Sequence, residues 1–351
     1  MKLTMAIIAM LCILTNGYGQ MEQFNEFRTS RFARVIGLGN AFTGLADDIE
    51  SVYYNSSGLA NIDYYAFSYS KGQGFAFTID DYISDDFAVV LPLFKKLGIF
   101  ALSFNRLSLP DFNYKEYIYQ LHFARQLFEY FSIGSSINYY HIYSEDRIRS
   151  DISGNAFDMS FSALYIIPIT SIPSIMNETR FGLQIQNLFD SDVHYAGDMD
   201  SDPKHQTLRV GLSTAVIPTF KKQFDLNPLK LIIIADAVFY GKSYKVEVLQ
   251  PNFGLELALF EILKLRYGRE NEIDINAPYE NSPQHPVKRY GVGLALPFHK
   301  VLSNFEMAEV SIDYSYSNWD KLDETKPIWP LFLSGDLPIR DSFSIKMYFQ
   351  F

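Results

Sequence analysis

The sequence predicts an all-β transmembrane protein, an outer-membrane barrel of about fourteen antiparallel strands closed around an N-terminal plug. Three observations predict it. Hydrophobicity alternates with a period of two along most of the chain beyond residue 62. Short and long connections between the candidate strands tend to alternate, as they do in membrane barrels. One stretch, from Arg28 to Ile62, does not alternate at all. The composition fits this class, with 16% aromatic residues, 30 Phe and 24 Tyr, only 20% charged residues and a net charge of -10.

Residues 1–19 read as a secretory signal peptide. They hold a basic start at Lys2, an apolar run from Met5 to Leu14, and small residues at Gly17 and Gly19, with cleavage expected after Gly19. A lipoprotein signal using Cys12 is the alternative, but Leu11 stands before it where a small residue is required. Cys12 is the only cysteine. Removal of the leader therefore leaves no thiol, no disulfide and no cysteine metal ligand.

Residues 20–62 form the expected plug. Gly37, Gly39, Ala41, Gly44 and Ala46 permit close backbone approach, the acidic pair Asp47-Asp48 follows, and Asn55-Ser56-Ser57-Gly58 marks a sharp turn.

Residues 63–351 form the expected barrel. No later segment offers 18 consecutive apolar residues, and the best run, Leu231 to Tyr240, is interrupted by Asp236. At the C-terminus Phe343, Ile345, Met347, Phe349 and Phe351 alternate with Ser344, Lys346, Tyr348 and Gln350. Val310, Ile312, Tyr314 and Tyr316 alternate with Glu309, Ser311, Asp313 and Ser315 in the same way. Fourteen strands are expected near 63–70, 86–94, 97–107, 114–126, 131–144, 155–168, 179–188, 206–216, 229–241, 250–260, 261–270, 287–298, 306–317 and 341–351.

Short turns are expected at 95–96, 127–130, 261 and 299–304, and long polar loops at 71–85, 145–154, 189–205, 271–286 and 318–340. The connections 169–178 and 217–228 fall between these classes. A bilayer forbids open sheet edges, so the sheet must close. About fourteen strands enclose a lumen too wide for wall side chains to fill, which is the physical reason to expect a plug. The polar faces would place Glu116, Asp158, Arg209, Asp236, Glu256, Lys264, Arg266, Arg289, Asp313 and Lys346 inside. There they would either pair across neighbouring strands or serve conduction or ligand binding.

The segment GLGNAFTGLADDIESVYYNSSGLANI resembles the N-terminal plug of the FadL-like outer-membrane proteins. Ala46-Asp47-Asp48, Tyr53-Tyr54-Asn55 and Gly58-Leu59-Ala60 carry the likeness, while Ser56 and Ser57 stand where that pattern has Pro and Ala. Within that superfamily the chain more closely resembles the PorV/PorQ group, through GLQIQNL at 182–188, GLELALFEILKLRYG at 254–268 and VSIDYSYS at 310–317. The resemblance implies one of two functions. FadL-like transporters pass long-chain fatty acids or other hydrophobic molecules through the lumen and out sideways, with the plug as a hatch. PorV-like members serve type IX secretion and surface attachment by binding a translocon or cargo protein.

For the first function the candidate residues are Phe42, Asp47, Asp48, Tyr53, Tyr54, Asn55 and Gly58, with Tyr64, Tyr65 and Phe67 beside them. The alternative is structural: the aromatics wedge the plug against the wall, and Asp47 and Asp48 satisfy backbone N–H groups or meet Arg28, Arg31 or Arg34. For the second function the candidates are Trp319, Trp329 and Phe332, in a 318–340 loop that is unusually apolar. Burial over the barrel mouth or a place in the interfacial aromatic belt would account for the same residues.

Other partner classes are narrower. Outer-membrane lipids are expected around the wall, and the acidic balance, with no basic stripe, excludes a nucleic-acid surface. Asp190, Asp192, Asp198, Asp200 and Asp202 alternate as calcium ligands can, but without the rest of a calcium loop they read as a solvated acidic loop. GLGNAFTG has Phe42 where a dinucleotide fingerprint needs its third glycine. No nucleophile elbow, zinc motif or triad spacing is present, and His122 falls on a polar strand face, so no enzyme, cofactor or metal site is expected.

Overall fold

A computed structural model describes residues 32–76, 80–94, 97–109, 113–144, 152–172, 175–196, 201–204, 206–218, 226–242, 245–272, 285–298, 307–318 and 339–349. The leader proposed at 1–19 lies outside the described residues, as do Arg28 and Arg31.

The first seven strands are β1 (Tyr65–Ala76), β2 (Asp80–Phe94), β3 (Gly98–Leu109), β4 (Tyr114–Phe128), β5 (Phe131–Ser144), β6 (Ile152–Ile172) and β7 (Ile175–Gln186). Two short strands follow, β8 (Asp192–Tyr195) and β9 (Asp202–Pro203). The wall resumes with β10 (Gln206–Pro218), β11 (Leu229–Lys242), β12 (Lys245–Leu259), β13 (Leu263–Glu272), β14 (His285–Leu296), β15 (Met307–Asn318) and β16 (Ile339–Phe349). Each long strand pairs antiparallel with its neighbour, and β1 pairs with β16 from Tyr65↔Phe349 onward. Fourteen strands thus close into a barrel with no free edge.

What identifies the barrel's solvent is the sign of the alternation. On β14, Tyr290, Val292, Leu294 and Leu296 are exposed, while Val287, Arg289, Gly293 and Ala295 are buried. On β15, Ile312, Tyr314 and Tyr316 are exposed and Ser311, Asp313, Ser315 and Ser317 are buried. A soluble sandwich turns its apolar face inward; this sheet turns it outward, which is stable only in hydrocarbon. On β6 the outward apolar run from Phe157 to Ile167 spans about 26 Å of membrane depth, at a rise of ~3.4 Å per residue and a tilt near ~40°. That height matches the apolar band of an outer-membrane barrel.

One boundary of this band is drawn by aromatic rings. Tyr69, Phe87, Phe104, Tyr119, Tyr139 and Phe157 are direct partners across β1 to β6. Their centroids lie 4.8, 6.5, 5.1, 6.1 and 4.7 Å apart in that order. The next outward row beyond them is Lys71, Asp85, Arg106, Tyr117, His141 and Asn155, polar or amphipathic throughout. Rings below and polar groups above mark a membrane–water interface. This row lies toward the end where β13 and β15 stop, at Glu272 and Asn318, and β14 and β16 begin, at His285 and Ile339. The opposite end carries the tight turns at Glu129–Tyr130 and Phe260–Ile262, which makes it periplasmic.

All fourteen expected strands exist, but several are longer than expected. The stretch 71–85 is not a loop, because β1 continues to Ala76 and β2 begins at Asp80. Likewise 169–178 is almost wholly strand, with β6 reaching Ile172 and β7 starting at Ile175. Beyond the bilayer a strand needs no apolar face, since its ladder bonds are made by backbone alone, so the alternation fades before the pairing does. The 189–205 loop contains β8 and β9, and β8 pairs with β6 through Gly154↔Tyr195 and Asn155↔His194.

The face assignment predicts an asymmetric response to charge. Leu265→Arg, on the outward face of β13, should cost about 2–4 kcal/mol in a bilayer unfolding titration. Ser315→Ala, facing the lumen one strand beyond β14, should stay within about 1 kcal/mol. A neutral Leu265→Arg would reverse the two faces.

Candidate functional site

The described part of the plug holds a short helix, α1 (Ala33–Gly37), followed by α2 (Ser51–Tyr54) and a 3-10 turn, Ser56–Asn61. No membrane-length helix occurs among the described residues. Helices of this length are not stable alone. Here they are held by burial: Phe32, Val35, Leu38, Phe42, Leu45, Ile49, Val52 and Leu59 form one apolar cluster inside the barrel.

The wall receives this cluster on glycine. A Cβ at Gly268 would strike the Gly39 backbone, one at Gly211 would strike Gly44, and one at Gly182 would strike Thr43. Gly37 and Gly291 also face each other, less tightly, with an added Cβ on Gly37 3.1 Å from the Gly291 Cα. Gly39 itself has φ +64°, a left-handed conformation that favours glycine. The plug therefore lies backbone against backbone on four or more wall strands, closer than any side chain would allow.

The wall also brings charge to the plug, and six charged residues close into a ring. The Arg34 Nε donates to Glu256 Oε2 at 3.0 Å, and Arg266 Nε donates to the same oxygen at 2.6 Å. Arg266 Nη1 then donates to Asp313 Oδ1 at 2.7 Å, and Lys346 Nζ lies 3.0 Å from Asp313 Oδ2. Lys346 Nζ also donates to Asp48 Oδ2 at 3.0 Å, and Arg34 Nη1 donates to that Asp48 oxygen at 2.8 Å. Signs alternate around six residues. Two come from the plug and four from β12, β13, β15 and β16. The strand between, β14, contributes glycine: a Cβ at Gly293 would collide with the Asp313 carboxylate and the Arg266 guanidinium.

Two further carboxylates hang on the ring. Asp47 takes the fork of Arg34 through Oδ1 at 2.7 Å and Oδ2 at 3.2 Å. Glu50 is fully buried and meets Lys346 Nζ at 3.0 Å, with no hydrogen bond from any other described residue. Three cations thus face five carboxylates. Burial pushes the Glu50 carboxyl up to about 8, against the pull of Lys346 and with the added push of Asp48 and Asp313.

The expected plug residues are all brought together here. Phe42 packs edge-on to Tyr54 at 5.9 Å, with the Arg34 guanidinium 5.5 Å from its ring. Tyr53 packs on Phe32 at 5.4 Å, and its carbonyl accepts from Gln184 and Gln186. Tyr54 donates to Asn40 Oδ1 at 3.1 Å and carries the Arg209 guanidinium over its ring. Asn55 caps the 3-10 turn through Ser57 N–H and donates to the carbonyls of Thr43 and Ala163. Gly58 leaves room for Ala46, whose backbone a Cβ would strike. Asp236 accepts the N–H groups of Phe42 and Thr43, both at 2.8 Å.

The residues that depart from the family pattern have their own contacts. Ser57 N–H donates to Ser162 Oγ at 2.9 Å, and Ser132 Oγ donates to the Ser57 carbonyl. Ser56 Oγ bonds His122 Nδ1 at 3.1 Å, and His122 Nε2 bonds Ser103 Oγ at 2.9 Å. His122 is thus a lumenal polar residue, as its strand face implied. The lumenal charges, by contrast, do not pair only with neighbouring strands: Glu256 and Lys346 reach strand and plug partners alike, and Asp313 pairs across β14 with Arg266.

Above the plug, toward the extracellular end, the lumen holds a second apolar cluster. Ile118, Tyr140, Ile142, Ala156 and Val193 are buried together, with Tyr114 and Tyr195 against them. Lys204 borders it, pairing with Asp158 and lying 3.5 Å from the Tyr140 ring centroid. Sequence reading passed over this cluster because Val193 and Lys204 come from a segment read as a loop. Its signal was the intrusion of Ile118, Tyr140 and Ile142 on faces otherwise polar. No group of metal-ligating side chains occurs among the described residues. Trp319, Trp329 and Phe332 lie outside them.

No family model and no curated protein sequence matches the chain. Solved structures similar to it include a Pseudomonas aeruginosa FadL homologue, at 11% identity over 93% of this chain and 100% of that one, TM-score 0.45. The Ralstonia pickettii toluene transporter TbuX is 9% identical over 94% of this chain and 100% of that one, TM-score 0.47. CdiB from Acinetobacter baumannii is 10% identical over 81% of this chain, which spans 60% of CdiB, TM-score 0.43. At this level the likeness carries no argument about what crosses the barrel.

Two outcomes follow for the plug. In Arg34→Met, the carboxylates of Asp47, Asp48 and Glu256 lose their shared cation, and docking should weaken by about 3–5 kcal/mol, read as lost hydrogen-exchange protection over residues 32–62. Glu50 is protonated in the docked plug and ionised when undocked above its usual carboxylate value. Docking should therefore weaken as pH rises from about 4.5 to about 8 and level off above, and Glu50→Gln should flatten that profile.

Proposed function

We propose that this barrel passes small hydrophobic or amphiphilic molecules across the outer membrane, with the N-terminal segment as a displaceable hatch. The observation that carries the reading is the apolar cluster around Ile118, Tyr140 and Ile142, set among the buried polar residues Glu116, Gln120, Asn138 and Asp158 on the extracellular side of the plug. Val193 and Tyr195 of the short strand β8 cover this cluster, and a hydrophobic solute entering from outside needs such a place to partition. The hatch role is supported by how the plug is attached. Besides its apolar packing it is bound to the wall by ion pairs, hydrogen bonds and glycine contacts, a discrete set of contacts that is made or broken as a unit. Phe42, Asp47, Asp48, Tyr53, Tyr54, Asn55 and Gly58 act in this reading as docking residues whose release opens the path. The FadL-like resemblance of the plug segment implies the same class of cargo.

The test locks the hatch. Ala33 N–H donates to Ser344 Oγ at 2.8 Å, so Ala33→Cys with Ser344→Cys places a thiol pair between α1 and β16. Flux of a fluorescent fatty-acid analogue into proteoliposomes should fall at least about tenfold on oxidation and return on reduction. Equal flux in both states would refute the hatch. No flux in either, together with a large protein co-extracted from the native membrane, would favour the secretion role that the PorV/PorQ resemblance implies, with Trp319, Trp329 and Phe332 as its contacts.

A further inference from the structure

On the outer wall, a groove of about 560 Å³ lies over β1 to β4 and β16. Its floor is apolar, formed by Phe67, Phe87, Phe104 and Ile345, and one side of it is edged by Tyr69, Asp85 and Arg106. The edge coincides with the interfacial rows: the floor rings belong to the apolar band, and Asp85 and Arg106 belong to the polar row beyond the aromatic girdle. A charged group on the lipid face is tolerated only near such a boundary.

The chemistry of that edge is incomplete without a ligand. Asp85 faces outward yet its side chain is only 12% exposed, held by the Tyr69 hydroxyl at 2.9 Å and by Arg106. Arg106 uses its Nε and Nη2 for this pair, while its Nη1 has no acceptor among the described residues and its side chain is 46% exposed. Lys71 stands opposite Asp85 on β1, exposed, and Lys115 is exposed beside Ser108 on β4. Arg106 and Lys71 therefore flank one carboxylate directly beyond an aromatic floor, with Lys115 one row further out on β4. A soluble anion has no use for that floor, and an acyl chain alone has no use for the cations.

We propose that this groove is a site for one phosphate-bearing lipid of the outer leaflet. Its phosphate is taken by the free edge of Arg106 with Lys71, and an acyl chain lies along Phe87 and Phe104. Asp85 holds the guanidinium in place and leaves its second fork for the phosphate. The site is separate from the lumen and independent of what the barrel transports.

The test is native mass spectrometry of the full chain in mild detergent, titrated with diphosphoryl lipid A. One lipid should remain bound to the wild type. The double variant Arg106→Gln with Lys71→Gln should weaken retention by at least about tenfold, and Phe87→Ala should weaken it with the charges intact. Lys288→Gln, an exposed cation on β14, two strands beyond the β16 edge of the groove, should leave it unchanged. Unheated gel mobility reports that each variant is a folded barrel. Retention unchanged in the double variant, or reduced equally by Lys288→Gln, would overturn the proposal. So would displacement of the lipid by inorganic phosphate alone, which would make the groove a plain anion site.

Discussion

The plug depends on a ring of six alternating charges, Arg34, Glu256, Arg266, Asp313, Lys346 and Asp48, closed between plug and wall. Each member is deeply buried, and a buried charge with its partner removed costs several kcal/mol. The ring therefore behaves as a unit. It also sets what the strands around it must be. β14 passes through the middle of the cluster and has glycine at 291 and 293, because a side chain there would occupy the space of Arg266 or of the plug backbone. Asp47 adds one carboxylate beyond neutrality and Glu50 a carboxyl that burial holds protonated, which makes the assembly sensitive to ionisation at the one carboxyl with the fewest donors.

The barrel itself was legible in the sequence because a membrane imposes a simple rule on each strand. Val310 to Tyr316 alternates in sequence and in burial alike, since hydrocarbon on one side and a polar lumen on the other leave no third choice. The strand ends were less legible. Between 71 and 85 the pattern gives way to Gly, Ser and Asp, yet the ladder runs on, because backbone pairing outside the bilayer is indifferent to side-chain polarity. The bend of β7 into β8 was hidden for a related reason: Asn187 and Asp190 take positive φ, a backbone irregularity that Asn and Asp tolerate and that reads as loop.

The candidate site was legible in its parts and not in its assembly. Asp47, Asp48, Asn55 and Gly58 were visible as a motif, and Arg34 as one partner for the acids. Nothing in local sequence could join them to Glu256 and Lys346, some two and three hundred positions away; that join exists only once the sheet closes. Ser56 and Ser57, which weaken the family pattern, find hydrogen-bonding partners in Ser162, Ser132 and His122, so the departure in the plug is matched by polar residues on the wall. Glycine opposite glycine followed the same logic: each wall glycine reads in isolation as a weak strand position, and only the plug's backbone explains it.

The central claim is that plug and wall are coupled through the charge ring, and a double-mutant cycle on Asp48 and Lys346 tests it most directly. Hydrogen exchange at amides of residues 32–62 would be compared among wild type, Asp48→Asn, Lys346→Met and the double variant. Direct contact at 3.0 Å inside a shared network predicts a coupling free energy of about 0.5–3 kcal/mol, with the double variant better protected than the two single losses would sum to. Strictly additive losses would contradict the account, and would mean that the plug is held by its apolar and glycine contacts alone.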